Sequence, residues 1–310
     1  MKPLSFFMNE SLKKLNSATA NAINECVIAA RRLTINDKGE HDEAASKSYV
    51  IVKHRDRAYN VNCSIVHTVI NGMEVVYLRD DDTGWSEGMN ANGICIVNSS
   101  LSLADENIGT DKGKKGKDDK AKGRKVDTKT SADGEKIIKA LTMQTIEDAL
   151  HFAKTWKTGI HGNTIIANDD QLYTISSTSE HPAVTTSLDG LDTVVYTNHS
   201  DIHAEAGYTE GPNFKSSTTR KTKSEQILGD SLSTADILVN MREQPFKSES
   251  NLNPLRTTKK LATTSQMILD PKNNSFHLVI MKNYTENFKG IVDQLPSDFE
   301  PKIKITFEEK

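Results

Sequence analysis

Two apolar, β-branched runs, residues 62–70 and 73–79, meet at Asn71-Gly72. An Asn-Gly pair between such runs is the strongest short-range hairpin signal, because both turn residues must take positive φ. It fixes one antiparallel pairing and its register, and so argues for a fold built on antiparallel sheet. Residues 47–53 (KSYVIVK) alternate as a strand does, with His54-Arg55-Asp56-Arg57 as a dense charge cluster at that strand's end. Residues 26–32 (CVIAARR), 93–98, 163–167, 171–176, 193–197, 264–269, 275–281 and 302–307 read as further strands. Helical spacing predicts two helices within 134–157, from Ile137, Ile138 and Leu141 and then Ile146, Ala149, Leu150 and Ala153. Residues 216–229 and 234–242 predict two more. Strands, helices, strands, helices, strands is the order of antiparallel layers with helices packed outside, an α+β arrangement, not of alternating βαβ units.

With 310 residues the chain can bury a sizeable core without staples. No repeat or linker interrupts the pattern, so a single domain over 26–310 is the simplest account. A net charge of −3 excludes a globally basic nucleic-acid binder, and no apolar run approaches the ~20 residues needed to span a bilayer, so neither nucleic acid nor membrane is expected as a partner. Three cysteines without a CxxC pair give neither a disulfide framework nor a thiolate zinc site; reduced thiols in a bacterial cytoplasm are the default. Residues 109–134 carry a run of eight Lys/Arg and three Asp between Asp111 and Lys125, with no apolar anchor and no aromatic residue for base stacking. They read as a solvated, flexible insertion.

Several groupings carry little chemistry. His199 and His203 lack a third ligand nearby for a metal. Asp80-Asp81-Asp82 fails the calcium-loop spacing and reads as an acidic turn. There is no phosphate-cradling glycine loop and no GxSxG elbow. No metal or cofactor is called for.

The informative residues are scattered. Gly88-Met89-Asn90-Ala91-Asn92-Gly93-Ile94 precedes a strand ending in Asn98-Ser99-Ser100; Val195-Tyr196-Thr197-Asn198-His199-Ser200 ends another; Ser216-Ser217-Thr218-Thr219-Arg220 enters a helix; upstream lie Cys26 and Lys53-His54-Arg55-Asp56. In kind and in order these resemble the choloylglycine hydrolase and penicillin V acylase family, over roughly residues 26–285. The resemblance implies the amino-terminal-nucleophile fold, a four-layered αββα sandwich, and a linear-amide hydrolase acting on a small N-acyl amide through a thioester. It implies Cys26 as nucleophile, Asp56 as orienter of its amine, Asn198 as an oxyanion donor, Asn98 (with Ser100 as the alternative) as the second donor, and Arg220 as the holder of the charge network. The family shows Arg-Asn-x-Asp where this chain has Lys53-His54-Arg55-Asp56, so Lys53 or Arg55 must supply the positive charge beside the sulfur. An acyltransferase on the same scaffold, or a non-catalytic virion or binding protein that keeps the fold, are the rival readings.

A nucleophilic cysteine at that position needs its own α-amine as base, which an amide nitrogen cannot be. The Glu25–Cys26 bond must then be cut, making residues 1–25 a removable leader; they carry no unbroken apolar stretch of the secretory kind. Attack by Cys26 on its own preceding bond is one route. The other is suggested by Ile23-Asn24-Glu25, which resembles the sites cut by the head-maturation protease of large tailed bacteriophages, with packaging in a virion as the corollary. A homo-oligomer is compatible with all of this, and nothing in the sequence selects the acyl or amine part of the substrate.

Overall fold

The computed structural model describes residues 25–57, 61–101, 132–155, 158–188, 191–242, 252–256, 261–292 and 302–307. The leader up to residue 24 and most of the lysine-rich stretch, 102–131, lie outside the described residues. A six-stranded sheet has the order β10-β1-β2-β11-β12-β14, where β1 is Glu25–Thr34, β2 Lys47–Arg57, β10 Thr193–Tyr196, β11 Ala262–Asp270, β12 Ser275–Ile280 and β14 Lys302–Phe307. An eight-stranded sheet has the order β13-β3-β4-β5-β6-β7-β8-β9, where β3 is Cys63–Ile70, β4 Met73–Asp80, β5 Ser86–Asn90, β6 Cys95–Ser99, β7 Gly162–Ala167, β8 Leu172–Ser177, β9 Val184–Ser187 and β13 Phe288–Val292. Pairing is antiparallel except where β14 joins β12 and β13 joins β3. Four α-helices are described: α1 (Ala132–Leu141), α2 (Ile146–Ala153), α3 (Gly211–Asp230) and α4 (Thr234–Asn240). The chain is thus a mixed α/β protein with two large sheets. Among the described residues no helix is long and apolar enough to cross a membrane.

The hairpin forms as its turn residues require: Asn71 and Gly72 sit at φ 53° and 81°, and Ile70 pairs with Met73. The two sheets face one another through a shared apolar core in which Ala29, Ile51 and Leu278 belong to the first and Met89, Val97 and Ile165 to the second. A second core joins Val75, Ile96 and Ile166 to Ile137, Leu141 and Ala149 of α1 and α2. α3 packs on β1 and β10, α4 on β11. Caps define the short helices: Thr145 accepts from Asp148 N at the start of α2, and Ser233 with Asp236 makes a reciprocal capping box on α4. α3 is different, because its buried face is Ser216, Ser217, Arg220, Ser224 and Leu228, almost all polar. A helix that buries polar groups must satisfy them against something polar, and what it covers is the edge of the sheet where Cys26 lies.

One placement differs from the sequence expectation in a way that matters. The charged cluster 54–57 does not terminate β2 but forms its last four residues, all buried. The reason is pairing on both sides: Cys26 lies opposite Arg55 on β1, and Thr263 opposite Asp56 on β11.

Candidate active site

Period-two alternation sorts the charges of β2 onto two faces. Lys53, Arg55 and Arg57 point at the eight-stranded sheet. Lys53 Nζ pairs with Glu87 at 2.9 Å and donates to the carbonyl of Asn98; Arg55 also pairs with Glu87, which accepts from Trp85 Nε1 as well. Burial alone would raise the Glu87 carboxyl, but Arg55 and then Lys53 hold it down at about 2. Arg57 pairs with Asp80 at 3.5 Å and reaches to 3.8 Å of Cys26 Sγ.

His54 and Asp56 occupy the opposite face. His54 Nδ1 lies 3.0 Å from the carbonyl of Pro254, and burial holds the imidazole below its usual range despite that bond and the nearby Asp56. Asp56 accepts from Thr263 Oγ1 at 2.7 Å through Oδ1, while Oδ2 lies 3.5 Å from Arg220 Nη1 and 3.7 Å from Arg256 Nε.

Cys26 sits where these faces meet, at the start of β1. Its backbone N–H donates to Asn198 Oδ1 at 3.0 Å, and its carbonyl accepts from Arg220 Nη1 at 3.0 Å. Arg220 Nη2 also donates to Asn198 Oδ1 at 3.1 Å. Asn198 Nδ2 donates to the carbonyl of Ser100 at 3.0 Å. The turn carrying Asn198 is pinned from both sides. Asn163 Nδ2 donates to the carbonyls of Thr197 and His199, and Ser99 Oγ to that of Thr197; from α3, Ser217 Oγ accepts from Asn198 N at 2.9 Å. His199 Nδ1 joins the same Ser217 hydroxyl, while its other nitrogen faces Asp201, whose carboxyl the His199 hydrogen bond and Lys221 lower to about 2. These bonds hold the amide of Asn198 in one orientation, as a preorganised donor requires.

Of the residues the sequence singled out, Cys26, Asp56, Asn198 and Arg220 come together. The side-chain amide of Asn98 is turned elsewhere: its two hydrogens go to the carbonyl of His161 at 2.9 Å and to Thr164 Oγ1 at 2.8 Å. Ser100 meets the site through its carbonyl, as acceptor for Asn198. Lys53 and Arg55 are not the cations beside the sulfur. Glu87 draws both away, and the guanidinium that reaches Sγ is that of Arg57, two residues further along the same face. Cys63 and Cys95 are core, as read: burial pushes the first thiol up to about 11 and the second well above its usual value.

Three further residues join the site, of which the sequence marks only Glu25, and that one only as a cleavage position. Glu25, just before the cysteine, is 2% exposed, and its carboxylate accepts from Arg220 Nη2 and Arg256 Nη2, each at 2.7 Å, and from the Tyr208 hydroxyl at 3.0 Å. Arg256 also donates to Ser216 Oγ at 2.5 Å. Burial, and then the Glu25 charge, push the Tyr208 phenol far above its usual range, so it stays a donor. Neither Arg256 nor Tyr208 stands in a spacing that marks it in sequence.

No family model matches the chain, and no curated protein matches it. Among solved structures, a penicillin V acylase from Agrobacterium tumefaciens is similar with a TM-score of 0.43 and 9% identity, over 90% of this chain and 99% of that one. What the site can do follows from its side chains.

Proposed function

We propose that the chain is an amino-terminal-nucleophile amidohydrolase, with Cys26 as nucleophile once the Glu25–Cys26 bond is cut. The observation that carries this reading is the treatment of Cys26: its nitrogen, carbonyl and sulfur are each met by a different buried polar group, Asn198, Arg220 and Arg57. Any buried residue needs partners for its backbone N–H and C=O, but a structural core cysteine asks for no cation at its sulfur, and Arg57 reaches to 3.8 Å of this one. The contacts of α1 and α2 with the eight-stranded sheet and of α3 and α4 with the six-stranded one are compatible with the four-layered αββα arrangement of such enzymes.

Each group then has a task. The freed α-amine takes the proton from Sγ as the sulfur attacks the substrate carbonyl, and returns it to the leaving amine when the C–N bond breaks. Asp56 Oδ2, which accepts no hydrogen bond among the described residues, receives a hydrogen bond from the new amino terminus. The second hydrogen of Asn198 Nδ2 meets the tetrahedral oxyanion; such a donor contributes about 3–4 kcal/mol of barrier lowering. Water resolves the thioester, with the amine again accepting its proton. Arg57 offers positive charge to the sulfur, and Arg220 keeps Cys26 and Asn198 in register.

Self-cleavage is the better route to the free amine. Glu25 and Cys26 are 2% and 1% exposed and both pair with β2. A second protease needs an extended, accessible segment in its own cleft, whereas Cys26 needs only its neighbour's carbonyl.

The test is the intact mass and amino-terminal residue of the purified full-length chain, with and without Cys26→Ala, followed by a panel of N-acyl amides with hydroxylamine to trap the acyl group. A mature chain beginning at Cys26, retention of the leader by Cys26→Ala, and an acyl hydroxamate as product are the expected results. A fully active preparation that keeps residues 1–25 would overturn the reading.

A further inference from the structure

The Glu25 carboxylate is enclosed by two guanidiniums and a phenol, all of them buried. Among the described residues, the only other anion in contact with Arg220 and Arg256 is Asp56, at 3.5 and 3.7 Å and already bonded to Thr263. Resting on the amidohydrolase reading above, scission before Cys26 removes Glu25 together with the leader. Arg220 and Arg256 are then left facing a single carboxylate in a space shaped for two. Buried cations without a partner are strongly unfavourable, so the emptied space demands an anion.

The position of that anion relative to the sulfur is set by Glu25 itself. In self-cleavage the acyl group transferred to Sγ is the glutamyl carbonyl, and its side chain is the part that Arg220, Arg256 and Tyr208 hold. Turnover forms the same kind of species on the same sulfur. From this we infer that the substrate's acyl group bears a carboxylate three carbons from the scissile carbonyl, as in a glutaryl amide or an amide-linked glutamyl group. The bonds balance as in ordinary acyl transfer: S–C forms as C–N breaks, the thiol proton leaves with the amine, and water then releases the dicarboxylate and restores the thiol. No oxidant or second substrate is required. Specificity of this kind is strong, because an acyl group without the charge leaves buried donors unpaired, whereas a merely shorter apolar chain loses little.

The experiment compares glutaryl p-nitroanilide with valeryl p-nitroanilide, of equal chain length, on the full-length chain after processing. The expected result is a kcat/KM higher by about 100-fold or more for the glutaryl compound. Arg256→Met should bring that ratio below about 10, and Tyr208→Phe, which preserves volume, should lower it by a smaller factor. If Arg256→Met fails to fold, Tyr208→Phe decides alone. A second readout needs no turnover: glutarate should raise the melting temperature of the processed chain, and valerate should not. Turnover of both compounds with the valeryl compound equal or better overturns this inference and leaves the amidohydrolase reading standing. A processed chain that neither turns over nor becomes acylated by either compound overturns both.

Discussion

Glu87→Gln tests whether the charge network beneath the site is ionised as its geometry implies. Glu87 is wholly buried and is the shared partner of Lys53 and Arg55. Glutamine keeps the shape and a carbonyl acceptor for Trp85 Nε1 but removes the negative charge, leaving two cations in the space between the sheets. Removing one partner of a buried ion pair costs about 3–5 kcal/mol. At 2–4 °C per kcal/mol, the scale for domains of 150–250 residues, that lowers the melting temperature by roughly 10 °C. Urea unfolding followed by tryptophan fluorescence reads it directly, with Trp85 beside the substituted group. The double variant Lys53→Met/Glu87→Gln removes one of the two orphaned cations, so it should be more stable than Glu87→Gln alone, a coupling of about 1–3 kcal/mol in a double-mutant cycle. The reasoning is refuted if Glu87→Gln costs less than about 1 kcal/mol, or if the double variant is no better than the single one.

Two further outcomes follow from particular groups. His277, held down to about 4 by burial and by Lys304 and Arg242, stays neutral in the folded chain while its unfolded counterpart takes up a proton near pH 6.5, and His54, lowered chiefly by burial, acts in the same direction. The unfolded state then binds more protons, so stability is lost as the pH falls from about 6.5 toward 4, by up to about 1.4 kcal/mol per pH unit for His277. Urea midpoints across that range should slope accordingly and should flatten in His277→Asn; an unchanged slope in that variant argues against the assignment. Gly162 has φ 110°, and a Cβ there would come within 2.4 Å of the Ser99 carbonyl and 2.9 Å of Asn98 Nδ2. Gly162→Ala should therefore destabilise by about 1–3 kcal/mol, seen as a lower melting temperature; a shift within about 1 °C would show that the β6–β7 junction yields more easily than its contacts imply.

The parts of the fold legible in sequence are those whose local chemistry and final environment agree. β3 and β4 were readable because Asn71-Gly72 admits one turn and both flanks are β-branched. β5 was not, since Ser86–Asn90 (SEGMN) contains one apolar residue. It is a strand because β4 pairs on one side, β6 on the other, and α1 packs over it. β9 and β13 escaped notice as short edge strands: VTTS carries a single apolar residue and closes a hairpin with β8, while FKGIV pairs with β3, which lies far earlier in the chain. In the site, Cys26, Asp56, Asn198 and Arg220 were found through the order of their motifs. Arg57 could have been found by physics alone, because two-residue alternation puts 53, 55 and 57 on the face Cys26 shares. Arg256 and Tyr208 could not, since they arrive from irregular segments that no periodicity locates. Glu25 was read only as a place to cut, and its burial among cations is a fact of tertiary structure.

That burial bears on why the site exists. Lys53, Arg55, Arg57, Arg220 and Arg256 are all buried close to one cysteine, against Glu25, Asp56, Asp80 and Glu87. Nine charged groups out of water are costly, and apolar residues of similar volume would often give an equally stable or more stable core. The two networks lie on opposite faces of one strand and meet at the backbone of a single residue, with five cations against four anions. Remove Glu25 and the balance becomes five against three. A chain that gained only stability here would have no reason to keep an arrangement whose charge balance hangs on the residue just before its cysteine. A chain that must part with that residue, and then attract an anion to the same place, has one.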